Sequence, residues 1–204
     1  SYGEKEVLKG QNLTFQKGGK YAIVGRSGCG KTTFLKLLLG QLKGYEGKIL
    51  YDGKELSSYD VDSFYEQMAY IEQSIFLFDT SIRNNITLGD GVSAEKLEEI
   101  LAMSALKEEI KKFPDELETK AGENGKNLSG GQKQRVAVAV SMICGKELVV
   151  FDEPTSGLDY DSMEQVSKLI QNLAKDKVIF VVTHDYEFVC RTCSRVLHFD
   201  EGEM

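Results

Sequence analysis

Tyr21-Ala22-Ile23-Val24-Gly25-Arg26-Ser27-Gly28-Cys29-Gly30-Lys31-Thr32-Thr33 runs from four apolar residues through a glycine-rich loop into a helix-forming segment. Residues 25–32 fit G-x-x-x-x-G-K-[ST]. The spacing has a physical purpose: glycines let the backbone curl until several N–H groups converge on one anion, and the N-terminus of the following helix adds positive potential. A lysine at position 31 reaches the β- and γ-phosphates of a nucleoside triphosphate, and the Thr32 hydroxyl suits Mg²⁺. The candidate phosphate-binding residues are Gly25, Ser27, Gly28, Cys29, Gly30, Lys31, Thr32 and Thr33, with the amides of residues 28–33 as donors. This stretch predicts a strand–loop–helix unit and a bound nucleotide, but no reaction.

Outward from it, β-rich runs alternate with helical ones. Strands are predicted at 13–15, 21–24, 48–51, 69–71, 148–151, 178–182 and 195–199, and helices at 31–40, 159–175 and 185–190. Several strands are continuous apolar runs, the mark of burial on both faces of a parallel sheet. That pattern implies an α/β fold with ligands at the carboxyl ends of the strands. From 81 to 145 the pattern is helical instead, as at 93–112, where Leu97, Ile100, Leu101 and Ile110 recur at helical spacing. The expectation is one domain over 1–204: a core of 1–80 and 146–204, with a helical subdomain inserted at 81–145.

The totals fit that expectation. Of 204 residues, 41% are hydrophobic and 28% charged, which is ordinary for a protein with a substantial core. A net charge of −7, with no run of five or more basic residues, argues against a surface for nucleic-acid backbones. The longest apolar stretch, 136–144, is about half of the ~20 residues that span a bilayer. Any membrane attachment is expected to come from other segments, and the abrupt start and finish suggest an excised domain. The scattered cysteines, Cys29, Cys144, Cys190 and Cys193, point to a reducing compartment, with Cys190 and Cys193 expected to pack rather than to bind metal.

A second acidic feature pairs with the phosphate loop. Leu148-Val149-Val150-Phe151-Asp152-Glu153 is an apolar strand ending in two carboxylates. Asp152 at the sheet edge can hold a Mg²⁺ shell, and Glu153, directed to the other side of the pleat, can polarise an attacking water. A third feature is Leu128-Ser129-Gly130-Gly131-Gln132, followed by Lys133-Gln134-Arg135 and a helix. It has the chemistry of another anion nest, yet one chain already holds its γ-phosphate with Lys31.

This LSGGQ pentapeptide is identical to the signature motif of ABC ATPases, and the chain resembles their nucleotide-binding domains over essentially its whole length. The resemblance implies the ABC ATPase fold, a P-loop core with a mostly parallel sheet, an N-terminal antiparallel β region and the inserted helical subdomain. It implies ATP and Mg²⁺ as ligands, and head-to-tail dimers in which Ser129, Gly130, Gly131 and Gln132 of one subunit cap the nucleotide of the other. Gln73 is similar to the Q-loop glutamine that touches the metal and the attacking water. Ser156-Gly157-Leu158-Asp159 resembles the D-loop, with Gly157 where alanine is commoner, and His184 resembles the switch histidine. Tyr2 resembles the aromatic that stacks on adenine.

Two segments resemble exporters in particular: Thr119-Lys120-Ala121-Gly122-Glu123-Asn124-Gly125, before the signature, and the residues from Phe76 to Ile86 after the Q-loop. The apolar run Ile75 to Phe78 suggests a docking surface for a helix of a membrane domain. The implied partners are a second nucleotide-binding domain, identical or not, and a transmembrane domain. The implied place is the cytoplasmic face of a membrane, the implied activity ATP hydrolysis driving export. The alternative is a soluble ABC ATPase acting on nucleic acid or ribosomes. A small-molecule kinase or GTPase leaves LSGGQ unexplained, and no Asn-Lys-x-Asp reads guanine.

Overall fold

Pleat alternation builds the core. The computed structural model describes residues 10 and 12–199. Its elements are β1 (Lys20–Gly25), α1 (Lys31–Leu38), β2 (Leu50–Tyr51), β3 (Lys54–Glu55), α2 (Val61–Tyr65), β4 (Met68–Ile71), α3 (Ile82–Thr87), α4 (Ala94–Met103), α5 (Lys107–Ile110), α6 (Gly130–Ile143), β5 (Leu148–Asp152), α7 (Tyr160–Leu173), β6 (Val178–Val182), α8 (Tyr186–Thr192) and β7 (Arg195–Phe199). Five strands form one sheet in the order β4-β5-β6-β1-β7 with every pair parallel, and β2–β3 is a separate antiparallel hairpin.

Successive residues of a strand face opposite sides, so an unbroken apolar run feeds two cores. Tyr21 and Ile23, Leu148 and Val150, and Phe180 and Val182 face one side, where α1 (Phe34, Leu35) and the hairpin cover them. Val149, Phe151, Ile179 and Val181 face the other, where Met163, Val166, Ile170 and Leu173 of α7 form an apolar stripe at helical spacing. A third cluster lies under α3–α6, built from Ile82, Ile86, Leu97, Ile100, Ile110 and their neighbours.

α6 joins the second and third clusters. Val138 packs into the sheet core while Val136 and Ala139 pack into the helical one. Gln134, Arg135 and Ser141 are buried with them. A helix enclosed on both sides has no single wet face, so its sequence carries little amphipathic period. The helix starts follow side-chain chemistry: Asp60, Ser81, Ser93, Ser129, Asp159 and Asp185 each accept a backbone N–H as N-cap.

Three expectations are corrected. Residues 13–15 form no strand; Phe15 instead sets its ring edge-on against Tyr21 and Phe180, each at 4.8 Å. The run 48–51 is a strand only at Leu50–Tyr51, because the chain turns back at Asp52 (φ 49°) and Gly53 (φ 79°) into β3. Asp-Gly is a residue pair suited to a two-residue hairpin, so the signal was present in the sequence. The helical run 93–112 breaks at Ala105 (φ 54°), after which Leu106 is buried and α5 begins. Between 81 and 145 the described structure consists of helices, 3₁₀ turns and one isolated bridge, Ser81 to Lys120. No helix among the described residues is long and apolar enough to cross a membrane.

Phe180 is fully buried where Phe15, Tyr21 and Phe34 converge, with ring centroids at 4.8, 5.7 and 6.5 Å. Phe180→Ala should cost about 3–5 kcal/mol in urea unfolding; a loss below ~1 kcal/mol would show that the aromatic cluster does not support the sheet.

Candidate nucleotide site and signature helix

Parallel register sets the site. Ile23 pairs with Val182, and Val182 with Asp152, so three strand ends stand level. Ile71 of β4 pairs with Phe151, which brings the Gln73 loop to the same edge. At a strand spacing of about 4.8 Å, the phosphate loop and Asp152 stand roughly 10 Å apart across β6.

In the phosphate loop, Gly25, Gly28 and Gly30 have φ of 148°, 81° and 110°. A side chain at Gly25 would strike the Phe199 carbonyl oxygen and the Cys29 sulfur, so only glycine fits there. Gly30 caps α1 without a side-chain bond, leaving the first-turn N–H groups for another acceptor. Lys31 Nζ donates to the carbonyls of Gly25 (2.6 Å) and Arg26 (2.9 Å). Ser27, Gly28 and Thr32 are exposed and Thr33 is half-buried, whereas Cys29 packs against the sheet core and its N–H donates to the Arg26 carbonyl (3.3 Å).

The two carboxylates after β5 diverge. Asp152 Oδ2 accepts from the Tyr70 hydroxyl on β4 at 2.5 Å; burial, followed by the bond to Asp152, pushes that phenol well above its ordinary range. Glu153 turns toward β6: Oε2 accepts from the Thr183 hydroxyl (3.1 Å), and Oε1 meets His184 Nδ1 at 2.9 Å. Glu153 has φ 47°, a costly conformation for a side-chain-bearing residue, fixed by its N–H donating to the Val182 carbonyl at 2.8 Å. The bond to Glu153, then its charge, raises the His184 pKa.

Gln73 does not face the loop in isolation. Its Nε2 donates to the Ser156 hydroxyl at 2.8 Å, tying together two loops from different strands. Asp159 serves as the α7 cap, accepting from the Ser162 N–H at 2.7 Å. Beside them lies a cleft of about 440 Å³ lined by Gln73, Phe76, Asn124, Gly130, Lys133 and Ser156 among others. Phe76, which lines it, and the neighbouring Phe78 are 64% and 59% exposed, and their rings meet edge-on at 5.2 Å. The segment 119–125 is bonded to Thr80–Ile82 through the Ile82 and Ala121 N–H groups, with Ala121 fully buried and Asn124 at φ 52°, where asparagine is tolerated.

The signature opens α6 as a reciprocal cap. Ser129 Oγ accepts from the Gln132 N–H (3.2 Å), and the Ser129 N–H donates to Gln132 Oε1 (2.9 Å). Ser129 and Gly130 are exposed, while Gly131 is buried against Ser162 of α7. The hydroxyl proton of Ser129 is not used by the cap, so it is free to donate outward. Gln132 Nε2 donates to Glu109 Oε2 at 3.0 Å, and buried Arg135 bonds Gln165 of α7.

The structure thus gathers Gln73, Asp152, Glu153, His184 and the phosphate loop on one sheet edge, while residues 129–132 open α6, with Gly130 lining the cleft beside Gln73. Tyr2 lies outside the described residues. Sequence reading missed Tyr70, Thr183 and Glu109, and named Ser156 only within the D-loop resemblance, without its bond to Gln73. A tyrosine inside the apolar run 68–71 was the available sign of the first; the others carry no local signal. Cys193 packs against both α7 and α8 cores, and burial pushes its thiol up to about 12.

A family profile described as ABC transporter matches residues 8–156. The chain is 37% identical over 208 residues to a protein of Treponema denticola described as an ABC transporter ATP-binding protein, covering 98% of this chain and 39% of that protein. It is 35% identical over 206 residues to the ATP-dependent lipid A-core flippase of Chromohalobacter salexigens, covering 100% of this chain and 35% of the flippase. A bacterial Atm1-family ABC exporter with ATP bound superposes with a TM-score of 0.79 at 31% identity, over 91% of this chain and 33% of the exporter chain. The chain therefore spans little more than a third of these relatives.

The chain has only two histidines, so its imidazole signals are separable. Because the His184 pKa is raised, its charged bond to Glu153 is complete below the ordinary value of about 6.5 and fades as pH rises through the elevated one. NMR titration should place His184 above ~6.5 and Glu153→Gln should lower it; an unchanged value in the variant would show that the pair is not formed in solution.

Proposed function

This chain belongs to the ABC transporter family as an ATP-binding domain of exporter type, and on that premise we propose that it hydrolyses ATP as a head-to-tail dimer and thereby drives export through a transmembrane domain. The carrying observation is the Glu153–His184 contact of 2.9 Å at a sheet edge level with the phosphate loop. In this reading 1–204 is one ABC domain, with 1–80 and 146–204 as core and 81–145 as the helical insertion that presents the signature.

The residues present suit Mg²⁺-ATP. The glycine loop with the uncapped start of α1 fits phosphates. Thr32, Asp152 and Gln73 supply hard oxygen donors, the set Mg²⁺ prefers. When bound, the ion neutralises charge developing on the phosphate oxygens. Lys31 exchanges its carbonyl partners for the β- and γ-phosphates, with Gly25, Ser27, Gly28, Cys29, Gly30 and Thr33 completing the loop. Glu153, oriented by Thr183 and His184, accepts a proton from the attacking water. That proton leaves the Glu153 carboxyl neutral, and His184, bonded to Glu153 through Nδ1, is left to donate from its other ring nitrogen to the γ-phosphate. Tyr2 stacks on adenine.

Ser129, with Gly130, Gly131 and Gln132, closes on the γ-phosphate held by the partner, and Asp159 lies at the facing D-loop. Because phosphoryl transfer is accelerated mainly by positioning and charge, the open monomer is slow. Phe76 and Phe78, exposed and in contact with each other, offer the transmembrane domain an apolar seat, and the proposed site of action is the cytoplasmic face of a membrane. The relatives' own names speak of transporters and flippases, which supports this reading over one with nucleic acid or ribosomes.

Specific ATPase activity should climb with protein concentration and fall by about 10²-fold or more in Glu153→Gln, which retains ATP binding. Activity independent of concentration would refute the dimer, and undiminished turnover in the variant would refute Glu153 as the base.

A further inference from the structure

The signature glutamine is held from two sides. Its Oε1 accepts from the Ser129 N–H at 2.9 Å, closing the α6 cap, while its Nε2 donates to Glu109 Oε2 at 3.0 Å. A carboxylate only accepts, so Glu109 forces the amide nitrogen toward itself and the amide oxygen toward Ser129. Without that acceptor the amide is free to turn or swing away, and the Ser129 N–H loses its partner.

Glu109 is itself fixed. Its Oε1 accepts from Lys112 at 2.7 Å, and Arg135 Nη1 lies 3.8 Å from Oε2. Arg135 is buried on α6, and Ile110 anchors α5 in the helical core. α5 has no side-chain cap, so the carboxylate and its neighbours hold this short turn against α6.

We propose that Glu109 is a positioning residue for the signature: through Gln132 it sets the pose in which Ser129 meets the nucleotide held by a second copy of this chain. The proposal rests on the head-to-tail dimer above. It requires that Glu109, whose partners are Lys112, Gln132 and Arg135, affect closure while leaving untouched the binding of ATP to the phosphate loop of its own chain.

The test uses Glu153→Gln as the parent, with Glu109→Met, which keeps length but no acceptor, and Glu109→Gln, which keeps an acceptor for Gln132. ATP affinity is measured by fluorescent nucleotide displacement at dilute protein, and Mg²⁺-ATP-dependent dimerisation by sedimentation. Glu109→Met should leave monomer ATP affinity unchanged and weaken closure about fivefold per signature, hence about 25-fold per dimer. Glu109→Gln should dimerise like the parent. Equal dimerisation of parent and Glu109→Met, equal loss in both variants, or a parallel loss of ATP affinity would each overturn the proposal while leaving the dimer standing. A parent that forms no dimer with ATP would overturn the dimer reading and this proposal with it.

Discussion

Hydrogen-bonded register across β5, β6 and β1 determines where everything chemical can happen. Ile23, Val182 and Asp152 stand level, so the loops that follow them emerge side by side without any side chain having to reach. That register is stabilised by two apolar layers rather than by the loops. The tight turns at Gly25 and at Glu153, each in a conformation with positive φ, are imposed by strands already in place. Local strain of this kind survives because the sheet beneath it is over-determined.

The helical segment adds a second orientation. Its residues Ser129 and Gly130 stand exposed at the start of α6, on a different element from the phosphate loop. Similarity to an ATP-bound exporter over 91% of the chain shows that the arrangement belongs to a common plan. Within it, side-chain bonds such as Glu109 under the signature amide and Tyr70 on Asp152 fix individual groups.

Five predicted strands fell where the sheet lies; β1, β5 and β6 were legible because burial on both faces writes itself as continuous apolar runs, whereas edge strand β7 is largely exposed. Residues 13–15 misled because one aromatic, Phe15, does the work of packing without a ladder. Asp52-Gly53 was readable and unread. α6 kept its period hidden because it is enclosed on both sides. Motifs placed Lys31, Asp152, Glu153 and His184 on one edge, since each follows a strand. What no sequence pattern revealed is the pairing between distant loops, Gln73 with Ser156 or Glu153 with Thr183. Such bonds depend on strand order, and strand order is not local information.

α6 also has a mechanical meaning. Fourteen residues make a rod of about 21 Å, running from the signature serine to within a few residues of the strand that carries Asp152. Both of its flanks are packed, Arg135 bonds it to α7, and it contains neither glycine nor proline after its first turn. A rod so clamped has no joint of its own. Displacement of its exposed tip is therefore delivered to the sheet as a push rather than absorbed as bending.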